Sequence, residues 1–457
     1  MLNIKIDSNN IKKGDTFVAI KGHTVDGHDY INSAIKNGAS TIVCEYGEYD
    51  GVKVIHVENT KKYLQDYLVE NYQNVINQLT FIGVTGTNGK TTTCFLTYET
   101  LLKLGVNACY IGTIGYYDKF DHYELSNTTP NILELYEIFL NAINKGITTV
   151  IMEVSSHSLV EKRVEGIKYH SIGFTNLTQD HLDYHINMEN YLNAKLLLLK
   201  QLNPNSIVIF NEDDSYGKYF KQNNSIGFGF HSNDLQIIDY QDIKGGSLID
   251  FLYQGKHYHL KTMLKNLFNV YNYIMSVLLV HSLGYEIEDI ISYSNEISAP
   301  RGRCETILYE NKEIVVDYAH TPDAVEKIIN SFNQNKNGKI ITVIGCGGDR
   351  DKTKRPQMGS IATNNSYYVV LTSDNPRTEN PEEIINDIVK GINKSNYEII
   401  PDRKKAIERG IDLLNENDTL LILGKGHENY QIIGHTKYHL DDLEIASNYI
   451  KKLDLNQ

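Results

Sequence analysis

Phe81-Ile82-Gly83-Val84-Thr85-Gly86-Thr87-Asn88-Gly89-Lys90-Thr91-Thr92-Thr93 passes from a short apolar run through a glycine-rich turn into a lysine and a threonine run. Phe95, Leu96, Leu101 and Leu102 then continue at helical spacing. Strand, loop and helix in that order are what a phosphate-binding loop requires. Glycines let backbone N–H groups converge on phosphate oxygens, and the helix N-terminus adds positive potential. Lys90 is placed to reach terminal phosphates, and the Thr91 hydroxyl to ligate Mg²⁺. The strict motif has a glycine where Val84 stands, so this is the shorter form Gly86-Thr87-Asn88-Gly89-Lys90-Thr91.

The 457 residues exceed one ordinary core, and an α/β chain of three units is expected. Residues 1–78 read as a small α/β unit, with strands at Thr16–Ile20 and Thr41–Cys44 and helices at Tyr30–Lys36 and Tyr63–Tyr72. A polar, glycine-containing loop covers residues 21–28. Residues 79–299 alternate strands (Thr80–Val84, Thr149–Glu153, Ser171–Thr175, Ser206–Asn211) with helices, as a parallel mononucleotide-binding sheet would. Residues 223–262 look like an antiparallel elaboration, and Asn266–Leu283 like a helix. Residues 300–457 form a third, Rossmann-like unit with strands Ile314–Asp317, Ile340–Ile344, Val369–Thr372 and Thr419–Leu423. Ligands of open α/β sheets collect at the carboxyl ends of strands, which here are Asp317, Gly345, Ser373 and Gly424.

The formal charge of −13 argues against a nucleic-acid partner or an anionic membrane surface. No apolar run is long enough to span a bilayer, and no apolar signal core opens the chain. The cysteine count is odd and no C-x-x-C pair occurs, which suits reduced thiols, a cytoplasmic protein and no zinc site.

Further clusters carry chemistry. Glu153 ends a strand in the sheet of the phosphate loop and leads into Val154-Ser155-Ser156-His157. Read alone it is either a solvent-exposed acid or a Mg²⁺ ligand. Asp180-His181-Leu182-Asp183-Tyr184-His185 packs acids and imidazoles after another strand end; its spacing fits no zinc template and favours a hard cation. Lys195 lies among apolar residues. It either snorkels to the surface or has a lowered pKa that permits carbamate formation with CO₂. Asn269 and Asn272 share a helix face and could meet a base or ribose. The third unit concentrates Arg301, Arg303, Arg350, Lys354, Arg355, Arg377 and Lys425 near strand ends of an acidic protein, an anion-binding arrangement.

Gly86-Thr87-Asn88-Gly89-Lys90-Thr91, Glu153–His157, Asp317-Tyr318-Ala319-His320-Thr321-Pro322 and Gly424-Lys425-Gly426-His427-Glu428 together resemble the Mur ligases, ATP-dependent amide-forming enzymes of peptidoglycan precursor synthesis. The likeness runs from about residue 5 to about residue 447. It implies an N-terminal unit binding a UDP-sugar peptide, a central unit binding ATP and a C-terminal unit binding an amino acid. By resemblance, Gly86 to Thr92, Asn269, Asn272, Arg303 and Asp317 contact ATP. Thr91, Glu153, His181 and Lys195 as its carbamate hold Mg²⁺, and Lys90, His181 and Lys195 serve catalysis. Ser8, Asn127, Thr128, Thr129, Ser155, Glu161 and Arg163 fall at positions facing the UDP substrate.

Arg350, Asp374, Asn375, Pro376, Arg377, Gly424 and Glu428 match the pocket for meso-diaminopimelate in the members that add the third stem-peptide residue to UDP-N-acetylmuramoyl-L-alanyl-D-glutamate. A guanidinium at 377 suits the second carboxylate of that amino acid and would repel a lysine side chain. The resemblance implies a monomer with small-molecule substrates. Asn9 stands where the family has Arg, Glu161 where Gln is common, and Asn266 where Gly is usual. Rival readings are the same chemistry with L-lysine or another amino acid, a folylpolyglutamate-synthetase-like ligase, and a nucleotide-binding scaffold without catalysis.

Overall fold

The computed structural model describes residues 2–22, 25–243, 246–334 and 338–455. His23 and Thr24, within the loop read at 21–28, lie outside the described residues.

The first sheet has four parallel strands in chain order, Ile4–Lys5, Thr16–Val18, Thr41–Cys44 and Lys53–His56. One face packs Phe17, Ala19 and Ile42 against Ile31 and Ala34 of the helix Ile31–Lys36. The other face presents Ile4, Val18 and Val43 to a core shared with the central unit. The helix expected at Tyr63–Tyr72 runs from Thr60 to Ile76. Its start is set by Asn59, whose side chain accepts from Lys62 N and satisfies one of the orphan first-turn donors. Leu64 and Leu68 of this helix are buried, each contributing about 2 kcal/mol of apolar burial. Gln65 reaches Lys162 O at 3.3 Å, and Lys5 pairs with Glu137, so the first unit is tied to the second by polar bonds as well as packing.

The central sheet has eleven strands. Thr80–Thr85 lies near its middle, between Tyr169–Phe174 and Thr149–Glu153. These strands are parallel, with Val84 opposite Glu153 and Thr85 opposite Phe174, so their carboxyl ends meet at the phosphate loop. The 223–262 stretch is only partly the antiparallel elaboration the pattern suggests. Ser225–Gly229 is parallel to Leu202–Asn211, whereas Leu235–Ile243, Gly246–Tyr253 and Lys256–Thr262 form an antiparallel meander. The meander alternates buried and exposed residues because one face alone packs on the apolar helix Leu267–His281. Among the described residues no helix is long and apolar enough to cross a membrane.

The third sheet has six strands in the order Glu305–Tyr309, Lys312–Asp317, Thr419–Leu423, Ile340–Ile344, Tyr368–Leu371 and Tyr397–Ile399. All but the first pair are parallel. Asp317, Leu423, Ile344 and Leu371 stand level in register, which brings residues 317, 345, 372 and 424 to one edge. All five cysteines are free thiols, four of them buried.

Candidate active site

The phosphate loop is shaped by two glycines with positive φ, Gly86 at 149° and Gly89 at 86°. A side chain at Gly86 would overlap Thr175 Oγ1, and one at Gly89 would overlap Asn272 Oδ1. The loop is pinned to the neighbouring strand end: Thr87 N donates to Asn176 O at 2.9 Å and Asn88 N to Asn176 Oδ1 at 3.0 Å. Lys90 curls back over the loop, its Nζ donating to Gly86 O at 2.9 Å and Thr87 O at 2.8 Å. Burial lowers its pKa; Glu153 and Asp180 oppose that shift and Arg303 adds to it. The helix Lys90–Lys103 places Thr91 and Thr92 on its first turn, both buried.

Glu153 is fully buried. Its Oε1 accepts from Tyr110 OH at 2.5 Å and Thr113 N at 2.8 Å, and its Oε2 from Thr113 Oγ1 at 3.1 Å. The solvent-exposed alternative for this acid is thereby removed. Tyr110 and Thr113 were not singled out by sequence; the apolar run Ala108–Gly112 ahead of Thr113 is the signal that marks another strand end in the same sheet.

Lys195 is 1% exposed, so it does not snorkel. Its Nζ donates to Gly86 O at 2.8 Å and sits 4.5 Å from the Tyr191 ring centroid. Burial drives its pKa well below the ordinary lysine value, the Lys90 charge pushes the same way, and Asp180 opposes both. Around it lie three imidazoles. His157 is 4.9 Å from His181 and 5.4 Å from His185 between ring centroids, and His185 stacks on Tyr191 at 4.9 Å. His185 also shares a 2.8 Å hydrogen bond with Ser156 Oγ. Burial lowers the pKa of each of the three rings. His181 takes a left-handed backbone (φ 54°) at the start of a one-turn helix, which turns its ring toward Asp180. Among the described residues no group of three or more His, Cys, Asp or Glu side chains is gathered closely enough to hold a metal alone. Phosphate or water oxygens must complete any cation shell here.

A cleft of roughly 560 Å³ opens between the central and C-terminal units. Asn88, Gly89, Thr92, Asn269 and Asn272 of the central unit line it together with Arg303, Asp317 and His320 of the C-terminal unit. Asn272 Nδ2 donates to Asn269 Oδ1 at 3.3 Å, which holds the pair as the helical spacing implied. Asn266 precedes this helix with φ 75° and ψ 142°, outside the left-handed helical region and in a conformation that favours glycine. Arg303 Nη2 donates to Thr91 Oγ1 at 3.1 Å, and its guanidinium lies 4.5 Å from the Tyr318 ring centroid. Its Nε is buried with no partner among the described residues, an orphan donor that a phosphate oxygen would satisfy. Asp317 accepts Cys304 N and Ala319 N at 2.8 Å each; burial raises its pKa and Arg303 opposes.

On the opposite side of Glu153, Thr129 Oγ1 donates to Glu153 O at 2.8 Å and accepts from Ser155 N at 3.1 Å. Thr128 Oγ1 meets Thr113 Oγ1 at 3.0 Å, and Arg163 Nη1 donates to Thr129 O at 3.0 Å. Arg163 is also paired with Glu161, Nε to Oε2 at 2.9 Å and Nη2 to the same oxygen at 2.8 Å. Asn127 is exposed beside this network. Ser8 is buried in the first unit, its carbonyl accepting Asn37 Nδ2 at 2.8 Å.

In the C-terminal unit, Arg377 takes φ 52° and its Nη1 donates to Gly348 O at 2.8 Å. Arg350 is exposed, and both arginines flank Gly347. Asp374 is buried; burial would raise its pKa, but Lys425 and Arg403 pull it below the ordinary value. Gly424 has φ 118°, and a Cβ there would come 2.7 Å from Asp374 Oδ2. Gly348 closes against Pro376 O so tightly that a Cβ would overlap it. Glu428 Oε2 accepts from Asn375 Nδ2 at 2.7 Å and Lys425 Nζ at 3.0 Å. Lys425 also donates to Asn375 Oδ1 at 3.1 Å. Its place within Gly424–Glu428 was visible in the sequence, but its clamp on two pocket residues was not.

Family descriptions match in sequence order: "Mur ligase family, catalytic domain" over residues 2–78, "Mur ligase middle domain" over 84–280 and "Mur ligase, glutamate ligase domain" over 302–426. The chain belongs to the Mur ligase family. It is 43% identical to the UDP-N-acetylmuramoyl-L-alanyl-D-glutamate–2,6-diaminopimelate ligase of Fusobacterium nucleatum, covering 98% of this chain and 93% of that one. It is 41% identical to enzyme 1 of the same name in Clostridium acetobutylicum, covering 99% and 95%. A solved structure of a ligase with this name superposes with a TM-score of 0.69 at 29% identity, covering 99% of this chain and 95% of that one.

Proposed function

We infer that this protein is the ATP-dependent, ADP-forming ligase that joins meso-2,6-diaminopimelate to UDP-N-acetylmuramoyl-L-alanyl-D-glutamate in peptidoglycan precursor synthesis. The observation that carries the choice of amino acid is the C-terminal pocket, where Arg350, Arg377 and the Asn375 carbonyl surround Gly347 and the Asn375 amide holds the Glu428 carboxylate. Diaminopimelate presents a carboxylate and an ammonium at its far end. Arg377 suits the former, and Glu428 Oε1, which makes no hydrogen bond among the described residues, suits the latter.

In this reading Gly86–Thr92, Arg303 and Asp317 hold ATP, with Asn269 and Asn272 toward the base. The γ-carboxylate of the D-glutamyl end attacks the terminal phosphorus and expels ADP, and the neutral amine of diaminopimelate then attacks the carbonyl of the acyl phosphate, forming the amide and releasing phosphate and a proton. Lys90 offsets charge on the transferred group. The network of Thr128, Thr129, Ser155 and Arg163 orients the UDP substrate, with Asn127 at its edge and Ser8 toward the nucleotide end.

The residues present fit Mg²⁺: the Thr91 hydroxyl, Glu153 Oε2 and a His181 ring kept neutral by burial are available donors. Lys195 fits a carbamate, since a buried amine with a depressed pKa is the nucleophilic form that CO₂ takes up. Bound there, Mg²⁺ would neutralise phosphoryl charge. Residues 1–78, 79–299 and 300–457 act as the UDP-substrate, ATP and amino-acid units. The protein works as a monomer in the cytoplasm.

The test is phosphate release from ATP with the UDP-dipeptide and either meso-diaminopimelate or L-lysine. Turnover with diaminopimelate alone is expected, and Arg377→Ala should cut the preference over lysine by about 10²-fold, the worth of a charge-assisted bidentate contact. Turnover with lysine alone would overturn the donor assignment, and no turnover with either would overturn the reaction.

A further inference from the structure

We propose that Asp323 is a positioning residue that locks the C-terminal unit onto the phosphate loop through the side chain of Asn88. The proposal deepens the ligase reading above and rests on it for its kinetic consequences. Asn88 Nδ2 donates to Asp323 Oδ2 at 3.0 Å, across 235 residues of chain. Thr178 Oγ1 donates to the same oxygen at 3.4 Å. The other carboxylate oxygen carries Lys327 Nζ at 3.0 Å. One acid of the C-terminal unit thus receives two donors from the central unit.

The Asn88 main chain is committed elsewhere. Its N–H goes to Asn176 Oδ1 at 3.0 Å, while its carbonyl accepts Thr175 Oγ1 at 2.6 Å and Asn176 Nδ2 at 3.1 Å. A fixed backbone and an outward side chain make Asn88 a peg between the two units. Asp323 lies on the first turn of the helix Pro322–Gln334, which is started by Thr321, whose Oγ1 accepts Ala324 N at 3.2 Å. When the peg is engaged, this helix N-terminus and the adjoining His320 stand at the phosphate cleft. A carboxylate beside a triphosphate site would by itself repel the ligand. Lys327 offsets that charge, which explains why the acid is paired on both oxygens.

The consequence is that Asp323 governs nucleotide capture and the exclusion of water without reacting. In the full-length protein, Asp323→Ala should speed amide hydrogen exchange across residues 86–92 in the absence of nucleotide. It should raise KM for ATP by about tenfold, the scale of one charge-assisted hydrogen bond, with a smaller change in kcat. It should also raise phosphate released per amide bond above one, because a loosened interface admits water to the acyl phosphate. Asp323→Asn keeps an acceptor for Asn88 and should recover most of the KM and of the coupling ratio. Asn88→Ala also removes a side chain from the ATP loop and its 3.5 Å contact with Thr178 Oγ1, so it should weaken ATP at least as much as Asp323→Ala, and adding Asp323→Ala in that background should cost nothing further. Unchanged exchange and unchanged KM in Asp323→Ala, or single effects that simply multiply, would overturn the proposal. Should the native protein fail to ligate any donor, the ligase reading falls while the exchange measurement still decides the lock.

Discussion

Two buried lysines set the central and C-terminal units apart. Lys195 is 1% exposed and Lys425 is 0% exposed, yet their surroundings differ. Lys195 has a carbonyl and an aromatic face for company and makes no ion pair among the described residues. Lys425 meets a carboxylate and an amide oxygen. Burial without an ion pair favours the neutral amine, a nucleophile, with Asp180 alone opposing the shift. Burial with a counter-charge makes a fixed strut that holds Glu428 and Asn375 in place. The same residue type at the same depth lacks an ion pair in one unit and has one in the other.

The largest effect that would sharpen this contrast is on turnover. Lys195→Ala should lower ligation by on the order of 10³-fold, the scale for losing a preorganised charge-stabilising group. Added short carboxylates should restore part of the rate; full activity without rescue would remove the carbamate role. Next comes stability in urea. Lys425→Met leaves Glu428 without its cation and should cost about 3 kcal/mol. Lys195→Met replaces a buried amine, hydrogen-bonded to Gly86 O but without an ion pair, by an apolar chain, and should change stability by less than about 1 kcal/mol. Equal losses in the two variants would erase the distinction.

Histidines give a third, intermediate handle. Burial lowers His320 from its ordinary 6.5 to about 4 and His427 to about 3. Between those values and 6.5 the unfolded chain binds more protons than the native one, so stability falls as pH drops through that window. His320→Gln should flatten the decline, measured by urea midpoints from pH 7 to 4. The smallest effect concerns Arg163, whose guanidinium is already occupied by Glu161. Glu161→Gln removes a carboxylate that competes with an anionic substrate. It should lower KM for the UDP-dipeptide by about threefold, a modest value because the pair is partly exposed, with kcat unchanged.

Much of the architecture was legible because it is local. Strand, glycine turn and helix at 80–103 follow from apolar run, turn residues and periodicity, all within one stretch of chain. Strand ends at 153, 317 and 344 were readable for the same reason. The parallel strand Ser225–Gly229 was misread as part of an antiparallel elaboration, since strand direction depends on a partner elsewhere in the chain. The first strand, Ile4–Lys5, is too short for a periodic signal.

The sequence by itself determined the glycine turn between strand and helix at 80–103 and the order of three α/β units, because each depends on residue type at fixed short spacing. Only the tertiary structure decided whether Lys195 was buried without an ion pair, that Glu153 is held by Tyr110 and Thr113, that Arg163 is spoken for by Glu161, and that Asn88 meets Asp323. Most of these bring together groups far apart in sequence, and all depend on desolvation and distance. Those quantities exist only once the chain is packed.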